Sequence, residues 1–197
     1  MPPRANDDLF GAAKRNDAAQ TEWLLAAGAN ANGKNDWLYE GLPPLAWAAA
    51  WGSVETAEVL IAHGADINGT NRLGTTPLHM AAFYEEPGTV ALLIRRGADP
   101  NARNKGGGTA LYRAMHRLAL IPATETAEAR EVTKVASVVK LLLESGAQID
   151  LALPRESARA IWAPLSSSSF TTLATFATSR ASAVSVAGIN ASRCIAR

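Results

Sequence analysis

Short apolar clusters recur along the chain in a fixed order, and each is followed by a glycine that closes the segment. The clusters are Leu9-Phe10-Gly11-Ala12-Ala13, Leu45-Ala46-Trp47-Ala48-Ala49, Leu78-His79-Met80-Ala81-Ala82 and Leu111-Tyr112-Arg113-Ala114-Met115. The closures are Gly28-Ala29-Asn30-Ala31-Asn32, Gly64-Ala65-Asp66-Ile67-Asn68, Gly97-Ala98-Asp99-Pro100-Asn101 and Gly146-Ala147-Gln148-Ile149-Asp150, at intervals of 36, 33 and 49 residues. Leucine to glycine is 19 residues in the first three segments and 35 in the fourth, which implies about 16 inserted residues there. Each segment reads as a turn, a short helix, a second helix and a glycine stop.

The third segment shows the local chemistry most fully. Pro77 sits in a first helical turn, where no N–H is lost, and Thr76 is available as the cap. Ala81 and Ala82 are small enough for neighbouring helices to approach, and Leu78 falls on a buried face. Leu92 and Leu93 are predicted to fill the layer between segments. Gly97 then stops the second helix in a left-handed conformation that costs another L-residue about 1–2 kcal/mol.

Thr76-Pro77-Leu78-His79-Met80-Ala81-Ala82 matches the Thr-Pro-Leu-His-x-Ala signature of ankyrin repeats, whose unit is a turn plus two helices over about 33 residues. The chain therefore resembles an ankyrin-repeat protein over about residues 7–153. The resemblance implies an all-α solenoid of helix-turn-helix units with short β-hairpin loops. It divides residues 1–153 into repeats at about 7–32, 33–68, 69–101 and 102–150, the last interrupted at about 119–134.

The departures from the pattern are informative. Repeat one has Asp7-Asp8 in place of Thr-Pro, and Lys14, Arg15, Asn16 and Asp17 give it the polar surface of an end cap. Repeat two carries three extra residues in its leading loop, Gly33 to Leu42, an enlarged tip suited to contact. In repeat three Glu85-Glu86-Pro87 replaces the usual Gly-His between the helices. In repeat four Thr109-Ala110 replaces Thr-Pro, and the insert predicts a lengthened second helix after a bend at Pro122. Trp23 and Trp47 are expected to pack between repeats.

From Arg155 the register is lost. Ser, Thr and Ala supply 9, 4 and 10 of the last 43 residues, centred on Ser166-Ser167-Ser168-Ser169. Residues 154–197 thus read as a low-complexity tail, weakly ordered or a partial C-terminal cap, with a degenerate fifth repeat or a shifted frame as alternatives. Net charge is +1, but residues 1–154 hold 14 Lys+Arg against 17 Asp+Glu while the remainder holds five arginines and Glu156 alone.

Composition narrows the chemistry. One cysteine, Cys194, allows no internal disulfide, and no apolar run reaches the roughly 18 residues of a membrane span. With no apolar leader after Met1, the chain is expected to be cytoplasmic. Gly28 to Lys34 satisfies most of a phosphate-binding P-loop, yet Asn35 stands where Ser or Thr would hold magnesium and a helix precedes it where a strand is required. The histidines His63, His79 and His116 lack metal-binding spacing, and no serine or cysteine has a plausible base. No cofactor, no metal and no enzyme activity are expected. The Gly106-Gly107-Gly108 run reads as a hairpin tip, and the basic residues from Arg95 to Arg117 lack the interleaved aromatics of a nucleic-acid surface.

What remains is a surface. In ankyrin proteins the hairpin tips and first helices form a concave face on which partners dock. Carried over by position, that implies contact by Tyr39, Glu40 and Leu42 in repeat two and by Arg72, Leu73 and Thr75 in repeat three, with Lys105 in repeat four. The ends of the first helices add Trp51, Phe83, Tyr84, His116 and Arg117. The implied function is a monomeric protein-interaction module, an adaptor or scaffold. Alternatives are an effector whose repeats direct an activity in the tail, or a self-associating structural protein. His79 is expected to stabilise hairpin backbone, and His63 to sit against a helix dipole.

Overall fold

In the computed structural model, residues 4–35, 40–119 and 128–148 are described, and they form one compact unit. The expected tail, half of the insert including Pro122, and Tyr39 lie outside the described residues. Eight helices follow in order: α1 Arg4–Arg15, α2 Ala18–Ala26, α3 Pro44–Ala50, α4 Val54–Ala62, α5 Pro77–Phe83, α6 Pro87–Arg95, α7 Ala110–Ala119 and α8 Glu128–Glu144. Among the described residues no strand forms, and one isolated antiparallel bridge joins Asn35 and Leu42.

The helices stack in two layers. The first helix of each pair packs on the next, α1 on α3, α3 on α5 and α5 on α7, while α2, α4, α6 and α8 form the second layer. Alanine permits the close approach: Ala12, Ala13, Ala48, Ala49, Ala81, Ala82 and Ala114 have no exposed surface. Leu9, Leu45, Leu78 and Leu111 lie beneath them, and Leu60, Leu92, Leu93 and Leu142 fill the second layer. The described part is thus a helical solenoid with its core running along the stack.

Each second helix ends in the same way. Gly28, Gly64, Gly97 and Gly146 have φ between 80° and 92°. The following alanine N–H reaches back to the helix, from Ala29 to the Leu24 carbonyl, Ala65 to Leu60, Ala98 to Leu93 and Ala147 to Leu142, at 2.9–3.0 Å. This is the six-to-one closure that satisfies carbonyls left open at a helix end. The asparagine four residues later then ties one unit to the next. Asn32 donates to the Gly64 carbonyl at 2.9 Å and accepts from the Asp66 N–H at 2.8 Å. Asn101 does the same with Gly146 and Gln148 at 3.1 and 2.7 Å, and Asn68 accepts from the Asp99 N–H at 3.0 Å.

Helix starts follow the sequence expectation in the third unit. Thr76 accepts from the His79 N–H, and the ring Nδ1 of His79 accepts in return from the Thr76 N–H, closing a capping box with Pro77 in the first turn. In the fourth unit Thr109 accepts from the Tyr112 N–H at 3.2 Å. The second helix there, α8, runs 17 residues against 9 in α4 and α6.

One expectation fails. Trp47 is 9% exposed and packs as predicted, but Trp23 is 69% exposed. Trp23 shares its register with Leu92, five residues before the glycine stop, yet α2 packs chiefly against α1 and α4 among the described helices. With a second-layer neighbour on one side only, the ring is left in solvent.

Candidate functional site

The hairpin tips are joined by backbone. Arg72 N–H donates to the Glu40 carbonyl and Lys105 N–H to the Leu73 carbonyl, each at 2.9 Å, so successive tips form one continuous edge. Within the tips, Asn71 accepts from the N–H groups of Leu73 and Thr75, and Asn104 from that of Gly108. His79 ties the tips to the helices. Its Nδ1 is an acceptor, so Nε2–H donates to the Gly108 carbonyl of the next unit at 2.9 Å. That agrees with the expected backbone role. Burial pushes the His79 pKa below its ordinary value and the Arg113 charge adds to this, while the bond to Gly108 opposes it. The ring is a buried structural base with both nitrogens engaged, and it offers nothing to a substrate.

The exposed row on the first helices is built from rings and cations. Trp51, just past the end of α3, is 49% exposed, and Lys14 of α1 places its Nζ 4.4 Å from the ring centroid. Phe83 meets Tyr84 edge to face, with centroids 5.2 Å apart, and Arg113 of α7 lies over Phe83 at 5.7 Å. Tyr112 and His116 are 5.9 Å apart on α7. Each cation belongs to a different unit from its ring, so one contact joins α1 to the end of α3 and the other joins α5 to α7.

Several expected contact residues stand in the open: Glu40, Trp51, Arg72, Leu73, Tyr84 and Lys105 are exposed, and Phe83 and His116 are partly so. Two are corrected. Leu42 is 1% exposed and Thr75 is 3% exposed. Both stand three residues before the register leucine, as does buried Gly108, and this position turns inward in these three units. Tyr39 is outside the described residues, as is the Arg117 side chain. The sequence reading missed Lys14 and Arg113. Lys14 shares the register of Phe83 and His116, five residues after the leucine, which alignment of the units would have exposed. Arg113 occupies the position filled by Trp47 and Met80 in earlier units.

The turn between α5 and α6 holds two carboxylates. Glu85 is buried with φ 60°, and Glu86 has its pKa raised by burial, an effect partly offset by Lys134. Among the described residues no group of three or more His, Cys, Asp or Glu side chains could hold a metal ion. No helix among them is long and apolar enough to cross a membrane.

Residues 9–104 match a family model for ankyrin repeats in 3 copies. The chain carries ankyrin repeats over that span. A comparison with curated proteins gave no match. Ankyrin repeats are in general protein-interaction modules and typically not catalytic. Helices α7 and α8 lie beyond the matched residues, and they keep the same leucine register and glycine stop and receive the tie from Asn101.

Proposed function

We propose that this protein is a protein-interaction module, an adaptor or scaffold, which holds a partner on the face formed by the hairpin tips and the first helices. The observation that carries the reading is the exposed rings of Trp51 and Tyr84, with the partly exposed Phe83 beside Tyr84, at the ends of helices whose other side is closely packed. Tryptophan, tyrosine and arginine are enriched in binding hot spots, and truncating a hot-spot residue loses about 2 kcal/mol or more. The backbone edge from Glu40 to Lys105 supports a rigid platform, so little ordering cost falls on binding. A chain with one cysteine suits a reducing compartment, and we place the module in the cytoplasm.

The test is affinity capture from soluble extract with the wild-type protein and a Trp51→Ala, Tyr84→Ala double variant matched by circular dichroism. A protein retained by the wild type and lost by the variant supports the reading. Equal retention of the same protein by both would move the site elsewhere on the chain.

A further inference from the structure

The near-neutral total charge conceals a difference between the two layers. In the second layer acids and bases alternate and meet one another: Glu22 pairs with His63 at 3.0 Å and Glu58 with Arg96 at 3.7 Å. The first helices and tips are different. Among the described side chains they present Lys14, Lys105 and Arg113 against Asp8 and Glu40. Lys14 and Arg113 lie over Trp51 and Phe83, with a ring for a neighbour where the second layer supplies a carboxylate. The remaining acids close by, Glu85 and Glu86, are buried and half-buried in the turn after Tyr84.

We propose that the ligand of this face is an extended acidic segment of a partner protein, with apolar or aromatic residues set among its carboxylates. This rests on the reading that the face binds protein, and it adds the chemistry of the partner. A cation held against a ring keeps its other side for an anion, so a carboxylate arriving at Lys14 or Arg113 completes a ring–cation–anion stack. The exposed part of Trp51 and of Tyr84 then receives an apolar side chain between the charged points. Neighbouring helices pack about 8–10 Å apart, and an extended chain advances about 3.3–3.6 Å per residue, so about nine residues reach from α1 to α7. Single-stranded nucleic acid fits less well. It needs open ring faces on which bases stack, and here cations stand over Trp51 and Phe83 while Tyr84 meets Phe83 edge to face.

The experiment uses the full chain and a fluorescein-labelled peptide of about ten residues, glutamates interspersed with glycine and phenylalanine. Fluorescence anisotropy is recorded at low and at physiological ionic strength. The acidic peptide should bind, weaken steeply as salt rises, and lose about tenfold or more in affinity with Lys14→Glu. Lys14 is exposed, so this variant keeps the fold. Lys140→Glu makes the same change of charge on α8 and should alter affinity less than about twofold. Three results would overturn the proposal: no binding of the acidic peptide, equal binding of a peptide with lysine for glutamate, or equal loss with Lys140→Glu. Tighter binding of an oligo-dT of similar length would overturn it in favour of nucleic acid. The capture experiment separates the two levels. If Trp51→Ala, Tyr84→Ala loses a partner but the acidic peptide does not bind, the face stands and the acidic chemistry falls; if capture is unchanged, the face itself is wrong.

Discussion

Each of the first three units of the stack contains two joints, and they are built on opposite principles. The joint after the second helix is the same in all three: a glycine at positive φ, an alanine N–H closing the helix, and an asparagine reaching to the next unit. The joint between the helices demands a left-handed residue too, yet it is filled by Asn16 at φ 56°, Gly52 at φ 67° and Glu85 at φ 60°. At the first joint the glycines stand in open space, since a Cβ added to Gly64, Gly97 or Gly146 meets nothing within 4 Å. Only the backbone conformation selects glycine there. At the second joint a side chain can do further work. Asn16 accepts from the Thr56 N–H at 3.1 Å and donates to Glu55, capping the start of α4 from the preceding unit. Ser53, the N-cap residue of α4, makes no side-chain cap bond, so Asn16 takes over that task. At Gly52 the space belongs to Glu86, whose carboxylate would lie 2.4 Å from an added Cβ. The backbone requirement is therefore met by glycine where only the conformation is asked or a neighbour's side chain fills the space, and by Asn16 where the neighbouring unit offers a use.

The largest effect should come from Leu93, whose carbonyl closes the α6 stop and whose side chain is fully buried. Leu93→Ala should lower unfolding free energy by about 2–5 kcal/mol in chemical denaturation, because a cavity opens in the layer between units. A change within about 0.5 kcal/mol would remove Leu93 from the core. Gly97→Ala isolates the backbone term, since no atom stands in the way, and should cost about 1–2 kcal/mol.

The sharpest contrast lies at the variable joint, where glycine should act in opposite directions. Asn16→Gly keeps the left-handed turn but removes the cap, and should cost about 1 kcal/mol. Glu85→Gly relieves a left-handed glutamate whose carboxylate is buried, and should stabilise by about 1 kcal/mol. If Glu85→Gly destabilises, the buried carboxylate carries an interaction worth more than the strain. Thermal melting of both variants decides it.

The smallest effect is the pH dependence. The folded His79 pKa lies below its unfolded value of about 6.5, so the unfolded chain binds more protons in the window just below that. Stability from His79 is full above about pH 6.5 and is lost as pH falls through the folded pKa. Glu86 works the other way: its raised folded pKa means that stability rises as pH falls through that value. Denaturation midpoints at steps from neutral to acid pH should therefore fall first with the histidine, and His79→Gln should flatten that fall.

Much of this was legible from residues alone, because the information is local. Thr76, Pro77 and His79 specify their own capping box, and a glycine after a leucine-rich helix specifies its stop. The misses all depend on a neighbour that the local pattern does not show. Trp23 and Trp47 are the same residue on helices of different layers, and Trp23 is bare because α2 has a second-layer neighbour on one side only. Leu42 and Thr75 looked like tip residues because the extended arm of a hairpin alternates inward and outward, and the inward register is occupied by Leu, Thr and Gly, three types with no common polarity. Lys14 looked like end-cap polarity until Trp51 was placed beside it.

The asparagine ties also give the stack a direction. Asn32, Asn68 and Asn101 each reach to backbone that comes later in the chain, about 31 to 47 residues on. During synthesis the earlier unit emerges first, with its asparagine amide already positioned by its own turn, and the next glycine stop arrives at a waiting receptor. A chain cut back from its C-terminal side leaves such an amide facing water, whereas one cut from the N-terminal side leaves none, so the order in which units are made is also the order in which they can be secured.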